Sequence, residues 1–427
     1  LGKQNRENAT IHVANTERQS EPRIEQSQEN QMNVIANKFA ASRKAYFTED
    51  ECELQEFAAL TAQKTDSKSV PHATAIEKNV PIYDASKLGK ELLDGENRRA
   101  LMAEWAEVFM HGPGVLVVKK AYRDTSVIDE ATVIFEQIIA TELKAGGGAD
   151  HFAKKGANDR IWNSLQKLCE ANPDVFARYH GVPAIDAVCE AWLGPNYQVT
   201  AQVNLVRPGG EAQQAHRDYH LGFVTAELCA RYPAHVHLLS PAMTLQGGIA
   251  HLDIPVEAGP TKLLPFSQAY APGYAAWRRE DFRDHFEKHH IQLPLEKGDA
   301  IFFNPALFHA GGANHTKDIR RLVNLLQISS ALGRSLENIN REKMCKLAYE
   351  PIRKLFADGK LTEVERDAAI SACAEGYSFP TNLDSDPPIG GLAPKTQNQL
   401  MHQALAEDWS SERFNSELDI MQARKLS

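Results

Sequence analysis

Between residues 197 and 329 the chain breaks into short apolar, β-branched runs, each closed off by Pro or Gly. They fall at 197–207, 214–225, 242–254, 260–265, 290–294, 299–304 and 320–329. Short strands punctuated in this way predict a sandwich or barrel rather than a parallel sheet. On either side the period is helical. Leu92, Leu93, Leu101, Trp105, Phe109 and Met110 recur at helical spacing, as do Val127, Ile128, Ala131, Ile134, Phe135 and Ile138. Within that helical region Val80–Asp84 and Val115–Val118 read as short strands, and residues 161–193 read as helix again. Thr48–Glu51 and Thr362–Glu365 have the pattern of capping boxes, and 395–425 that of a last polar helix. The expected division is a flexible tail at 1–40, a mostly helical region at 41–195, a β core at 196–330 and a helical extension at 331–427.

Composition narrows the function classes. A net charge of −9 and a pI near 6.0 argue against a nucleic-acid surface and for a small-molecule partner. No apolar run is long enough to span a bilayer, so no membrane role is expected. The first residues are polar, without a secretory apolar region, and the chain does not end in the Ser-Lys-Leu peroxisomal address. The six cysteines are scattered with no CxxC pair, which fits reduced thiols and a cytoplasmic location. Gly146-Gly147-Gly148 lacks the Lys-Ser/Thr of a phosphate loop and reads instead as a hinge or lid.

The chemistry concentrates at Gln213–His220, just past Pro208-Gly209-Gly210. Residues i and i+2 of a strand share a face, so His216 and Asp218 project together. His309 closes the strand 299–303 region and precedes Gly311-Gly312. Two imidazoles and one carboxylate on one face of an octahedral ion leave three positions open, which suits Fe(II). An HxD tripeptide alone is weak. It gains weight from Arg320, 11 residues after His309, whose planar fork could hold the far carboxylate of a chelating dicarboxylate. Arg321 would then face the other way.

These pieces, in order, resemble a known family. His216-Arg217-Asp218, then Glu257–Gln268, then Gly298-Asp299, then His309 to Arg320 with Asn314 between, look like the phytanoyl-CoA dioxygenase-like Fe(II)/2-oxoglutarate dioxygenases. The resemblance spans about residues 80–330. It departs at Phe266 and Gln268, where the family usually has Gly and His. It implies a double-stranded β-helix, a jelly-roll barrel flanked by helices, with iron at its open end. It implies that 2-oxoglutarate chelates the iron, that O₂ is consumed, and that a small organic molecule is hydroxylated as succinate and CO₂ leave. It also implies His216, Asp218 and His309 as iron ligands and Arg320 as the 2-oxoglutarate anchor. Because Asp218 is present, halogenation is disfavoured.

Gln202, Asn204 and Gln246 are further candidates to hydrogen-bond 2-oxoglutarate, though each also fits an outward polar position. Trp162, Asn163 and Tyr219 are candidate substrate contacts, and Gln214 could support a ligand. Three other readings compete. His216 and His220 would share a face on a zinc-binding helix, but the flanking glycines oppose a helix. His235-Val236-His237 has strand spacing and could serve a cupin-type isomerase or a 2-oxoglutarate-independent dioxygenase. A non-catalytic barrel that only binds is the third.

Overall fold

Alternation of side chains across the β-rich stretch requires two cores, one on each face of a sheet, and the computed structural model has both. It describes residues 44–93, 95–146, 158–377 and 381–426. The expected tail at 1–40 and nearly all of the glycine loop lie outside the described residues. The architecture is that of the unit Tyr46–Ser427.

In chain order the elements are α1 (Leu54–Thr61), β1 (Ala75–Glu77), β2 (Val80–Asp84), α2 (Gly89–Leu93), α3 (Gly95–Met110), β3 (Val115–Lys119), α4 (Ser126–Lys144) and β4 (Asn158–Ile161). Next come α5 (Ser164–Ala171), α6 (Pro173–His180), α7 (Pro183–Leu193), β5 (Gln198–Val206), α8 (Ala226–Cys229), α9 (Ala234–Ala242) and β6 (Thr244–Ala250). After these are β7 (Lys262–Leu263), α10 (Gly273–Ala276), α11 (Glu280–His289), β8 (Ala300–Phe303), β9 (His309–Ala310) and β10 (Arg321–Ser329). The chain finishes with α12 (Arg341–Ala357), α13 (Glu363–Cys373), α14 (Gln397–Ala406) and α15 (Ser411–Lys425).

Eight strands form one sheet in the order β1-β2-β3-β8-β6-β10-β5-β4, antiparallel except where β2 meets β3. Four of its members, β1 to β4, precede residue 196. A second, smaller layer is made of β7 and β9, extended by single pairings of Leu263 with Ile291 and of His216 with His309. Its order is therefore Ile291, Leu263, His309, His216. The two layers face each other as the halves of a jelly roll, and they share no ladder among the described residues. Val115, Val117, Ile301 and Phe303 of the large sheet pack between the layers against Leu263, Leu293 and Leu307. On the sheet's other face Leu322, Leu326 and Ile328 join a continuous core with α3 to α7 and α12 to α15.

Several local expectations fail for identifiable reasons. The run 214–225 is extended only around His216, because Tyr219 (φ 62) and His220 (φ 33) turn the chain into a single 3-10 turn at His220–Phe223. His235-Val236-His237 lies in α9, not on a strand, so the cupin-type ligand pair does not form. Residues 161–193 split into three helices at Pro173 and Pro183, each a first-turn proline. The Thr362 capping box forms. The one at Thr48 does not: its hydroxyl donates to Glu51, and the α-helix begins only at Leu54. All six cysteines are buried and free.

Candidate metal centre

His216 and His309 are neighbours across the small sheet. Each backbone N–H donates to the other's carbonyl, at 3.0 and 3.2 Å. This pairing brings the rings to 4.4 Å between centroids. Each imidazole Nδ1 lies 2.8 Å from a main-chain oxygen two residues back, Gln214 O for His216 and Leu307 O for His309. Main-chain carbonyls only accept, so both rings carry their proton on Nδ1 and leave Nε2 as a lone-pair donor. The Asp218 carboxylate completes the group. Its Oδ1 is 3.6 Å from His216 Nε2 and its Oδ2 is 3.4 Å from His309 Nε2. Neighbouring ligand atoms about 2.1 Å from one ion would stand about 3 Å apart, so the three converge with little adjustment. Among the described residues this is the only such cluster, its donor atoms all within 4.8 Å of one another.

One buried amide holds the carboxylate, and a main-chain bond fixes the residue that carries it. Gln246 of β6 donates to Asp218 Oδ2 at 2.6 Å and leans toward Gln327 of β10. The Asp218 N–H reaches Pro305 O at 3.1 Å. Burial works against ionisation of Asp218. Without an ion, the positive charge these imidazoles carry when protonated and the Gln246 amide outweigh it and hold the carboxyl well below the usual range. Burial likewise pushes His216 down, which keeps it neutral and ready to ligate.

Register decides what else faces this cavity. Gln327 pairs with Gln246, so Gln327, Leu325, Val323 and Arg321 share the inner face of β10. Across the ladder Leu325 meets Gln202, and Val323 meets Asn204. Arg320 falls on the outer side, half exposed, and pairs with Glu136 of α4 at 2.9 Å. The structure therefore does not bring Arg320 to the iron site. Its neighbour Arg321 is the one on the inner face, and its Nη1 donates to Gly312 O at 3.1 Å.

Gln202, Asn204 and Gln246 are buried on the cavity side, but Gln202 is engaged by Arg160 Nη1 at 2.9 Å and Gln246 by Asp218. Trp162 lies under the Arg160 guanidinium, 5.1 Å from its ring centre. Asn163 has left-handed backbone and donates its N–H to Glu337. Tyr219 is buried directly after Asp218. His220 turns away to Ser240, so it adds nothing to a zinc site. Arg160 and Gln327 carried no local signal in the sequence, because their place depends on strand register.

The chain is similar to several known proteins. The phytanoyl-CoA dioxygenase (PhyH) family model matches residues 110–322, which include His216, Asp218 and His309. The chain is 27% identical over 262 residues to the rat peroxisomal phytanoyl-CoA dioxygenase, covering 55% of this chain and 72% of that one. It is 28% identical over 183 residues to the dioxygenase trt7 of Aspergillus terreus, covering 42% of this chain and 58% of that one. Among solved structures it is similar to the non-heme alpha ketoglutarate dependent carbocyclase SnoK from nogalamycin biosynthesis, with a TM-score of 0.39, 19% identity, and 53% and 83% of the two chains covered. No helix among the described residues is long and apolar enough to cross a membrane. With a His-Asp-His site inside the matched segment, the chain belongs to the phytanoyl-CoA dioxygenase-like family of Fe(II)/2-oxoglutarate dioxygenases.

Proposed function

We propose that this enzyme hydroxylates a small organic molecule, with His216, Asp218 and His309 holding Fe(II) and Arg321, rather than Arg320, anchoring 2-oxoglutarate. The observation that carries the reading is the pair of imidazoles whose Nδ1 protons are both tied to main-chain carbonyls while both Nε2 atoms face one carboxylate. That donor set is neutral, neutral and anionic, as an Fe(II) site with open positions requires. Bound iron would supply O₂ activation coupled to decarboxylation of 2-oxoglutarate. The chain supplies everything else. Gln246 keeps Asp218 turned toward the two rings. Arg321 offers a partly buried cation on the inner face of β10, and Arg160 stands near enough to add its own field. Val323, Leu325, Ile301 and Phe303 line the inner faces between these polar groups, and such apolar surface excludes water and strengthens charge–charge contacts.

The test is optical. Fe(II) and 2-oxoglutarate added without oxygen should give the visible charge-transfer band of the chelate, and Asp218→Ala or His309→Ala should abolish or strongly weaken it. Absence of the band in a protein that retains zinc would sink the proposal. A substrate screen scored by succinate release, followed by mass analysis for an added oxygen, tests hydroxylation itself.

A further inference from the structure

A cleft opens on the far side of the large sheet, away from the His-Asp-His cluster. It holds about 430 Å³, within the range of roughly 300–1,000 Å³ usual for small-molecule sites. Its floor is apolar. Leu92, Tyr122, Val127, Val182 and Leu361 line it, and all five belong to the core on the sheet face opposite the iron layer. Its walls include the β3–α4 connection, the α6–α7 turn and the α12–α13 loop; the last, Lys360–Glu365, lies past the family-matched residue 322.

These walls are fixed against one another. Gly181 in the α6–α7 turn abuts α13 so closely that a Cβ there would stand 2.9 Å from Glu365 O. Tyr122 donates its hydroxyl to Tyr179 O at 2.9 Å. The cleft is thus bounded by close packing, not by a loose seam.

Charge at the rim is unbalanced. Each carboxylate there is already engaged. Asp124 accepts from the Ser126 N–H and hydroxyl at 2.9 and 2.7 Å, Glu365 closes the Thr362 capping box, and Glu363 pairs with Arg366 at 3.3 Å. Of the cations, Arg178 is held by Glu130 at 2.9 Å. Arg123 has no hydrogen bond or ion pair among the described residues, and Lys360 has only an exposed contact with Asp358 at 3.6 Å. The Ala184 N–H, in the first turn of α7, has no acceptor among the described residues, because Val182 before it has no side chain able to cap. Donors without acceptors above an apolar floor complement a molecule with an anion at one end and hydrocarbon at the other. We propose that this cleft binds a short aliphatic carboxylic acid as its anion, with the carboxylate at Arg123 and Lys360 and the chain on the apolar floor. None of these residues takes part in the iron cluster, so the two sites stand or fall separately.

Octanoate and n-octanol, titrated calorimetrically into the full chain, test it. Octanoate should bind about tenfold tighter than octanol, a difference of about 1.4 kcal/mol. Arg123→Glu, at an exposed position that holds nothing in place, should reduce that preference to within about twofold, and Lys360→Gln should reduce it partly. Val364→Trp, at the half-buried rim, should fill the cleft and weaken both probes about tenfold. The arginine of the iron cavity could also attract a carboxylate, and Arg321→Ala separates the two: octanoate should bind that variant as before. No binding of octanoate, equal affinity for the acid and the alcohol, a preference that survives Arg123→Glu, or one that disappears with Arg321→Ala overturns the proposal.

Discussion

The proposed exchange of Arg320 for Arg321 is the sharpest consequence of the geometry. Arg321 is partly buried on the inner face of β10 with one fork nitrogen on Gly312 O, and the proposed role gives the rest of the fork to a carboxylate. Burial first, and the nearby Arg160 guanidinium second, push it down to about 10, so it is still charged at neutral pH. Two guanidinium groups sharing one low-dielectric space favour an anion between them. Arg321→Ala removes a charge-assisted pair worth roughly 1.5–3 kcal/mol per hydrogen bond. Allowing for water entering the gap, a loss of about 3 kcal/mol, or roughly 150-fold in 2-oxoglutarate affinity, is expected. Arg320→Ala removes only an exposed pair with Glu136 and should shift affinity less than about twofold. Anaerobic titration of the Fe(II)-loaded protein by the chelate band measures both. 2-Oxobutyrate, which lacks the far carboxylate, completes the cycle: Arg321→Ala should hardly affect its binding, giving a coupling of about 3 kcal/mol. Equal weakening of both acids would make Arg321 merely structural. A large loss in Arg320→Ala with a silent Arg321→Ala would refute the register argument outright.

Buried groups supply two further tests. A Cβ on Gly273 would stand 2.0 Å from Arg217 Cζ, so Gly273→Ala should displace that guanidinium, cost about 2–4 kcal/mol in urea unfolding and weaken iron retention; unchanged stability would refute the packing argument. Burial pushes His251 down to about 3, and its ring bridges Thr132 and Tyr179 as a neutral group. The unfolded chain then binds the extra proton below its ordinary value near 6.5, so stability present above that pH is lost as pH falls, by about 2 kcal/mol from pH 6.5 to 5. His251→Asn should flatten that slope, and a slope equal to that of the unmodified protein would assign the acid sensitivity elsewhere.

The His-Asp-His cluster was legible because its information is local. The i, i+2 spacing of His216 and Asp218 sets their common face, and glycine turns flank each ligand segment. Which arginine faces inward was not legible, because two adjacent arginines differ only in face, and face depends on the pairing of β10 with β5 and β6. One residue of register moves the cation from cavity to surface. The turn after Asp218 escaped notice for another reason: Tyr219 adopts positive φ without the glycine or asparagine that usually announces it. Phe266 does the same at φ 67, the position where the family usually carries Gly. Gln268 beside it fills the space above Gly114 and donates to Gly112 O at 2.7 Å.

The residue between the ligands accounts for why the site holds its shape before metal binds. With His216 and Asp218 facing the cavity, alternation sends Arg217 into the opposite packing layer. There it is 2% exposed, donates to the carbonyls of Ser267 and Tyr270 at 2.5 and 3.0 Å, and lies 5.2 Å from the Tyr274 and Phe308 rings. Tyr274 in turn donates its hydroxyl to Asp218 O at 3.1 Å. Burial pushes Arg217 down to about 10, so it stays charged, and a charge buried there is tolerated only while those carbonyls and rings surround it. Sliding the strand by one residue would strip the guanidinium of its partners and turn both ligands away from His309 at once. The cost of that slip is several kcal/mol, far above the few tenths that a loose two-residue pairing could resist alone. The motif is therefore a ligand pair with its own register lock, and the lock is the residue that the ligand pattern leaves unspecified.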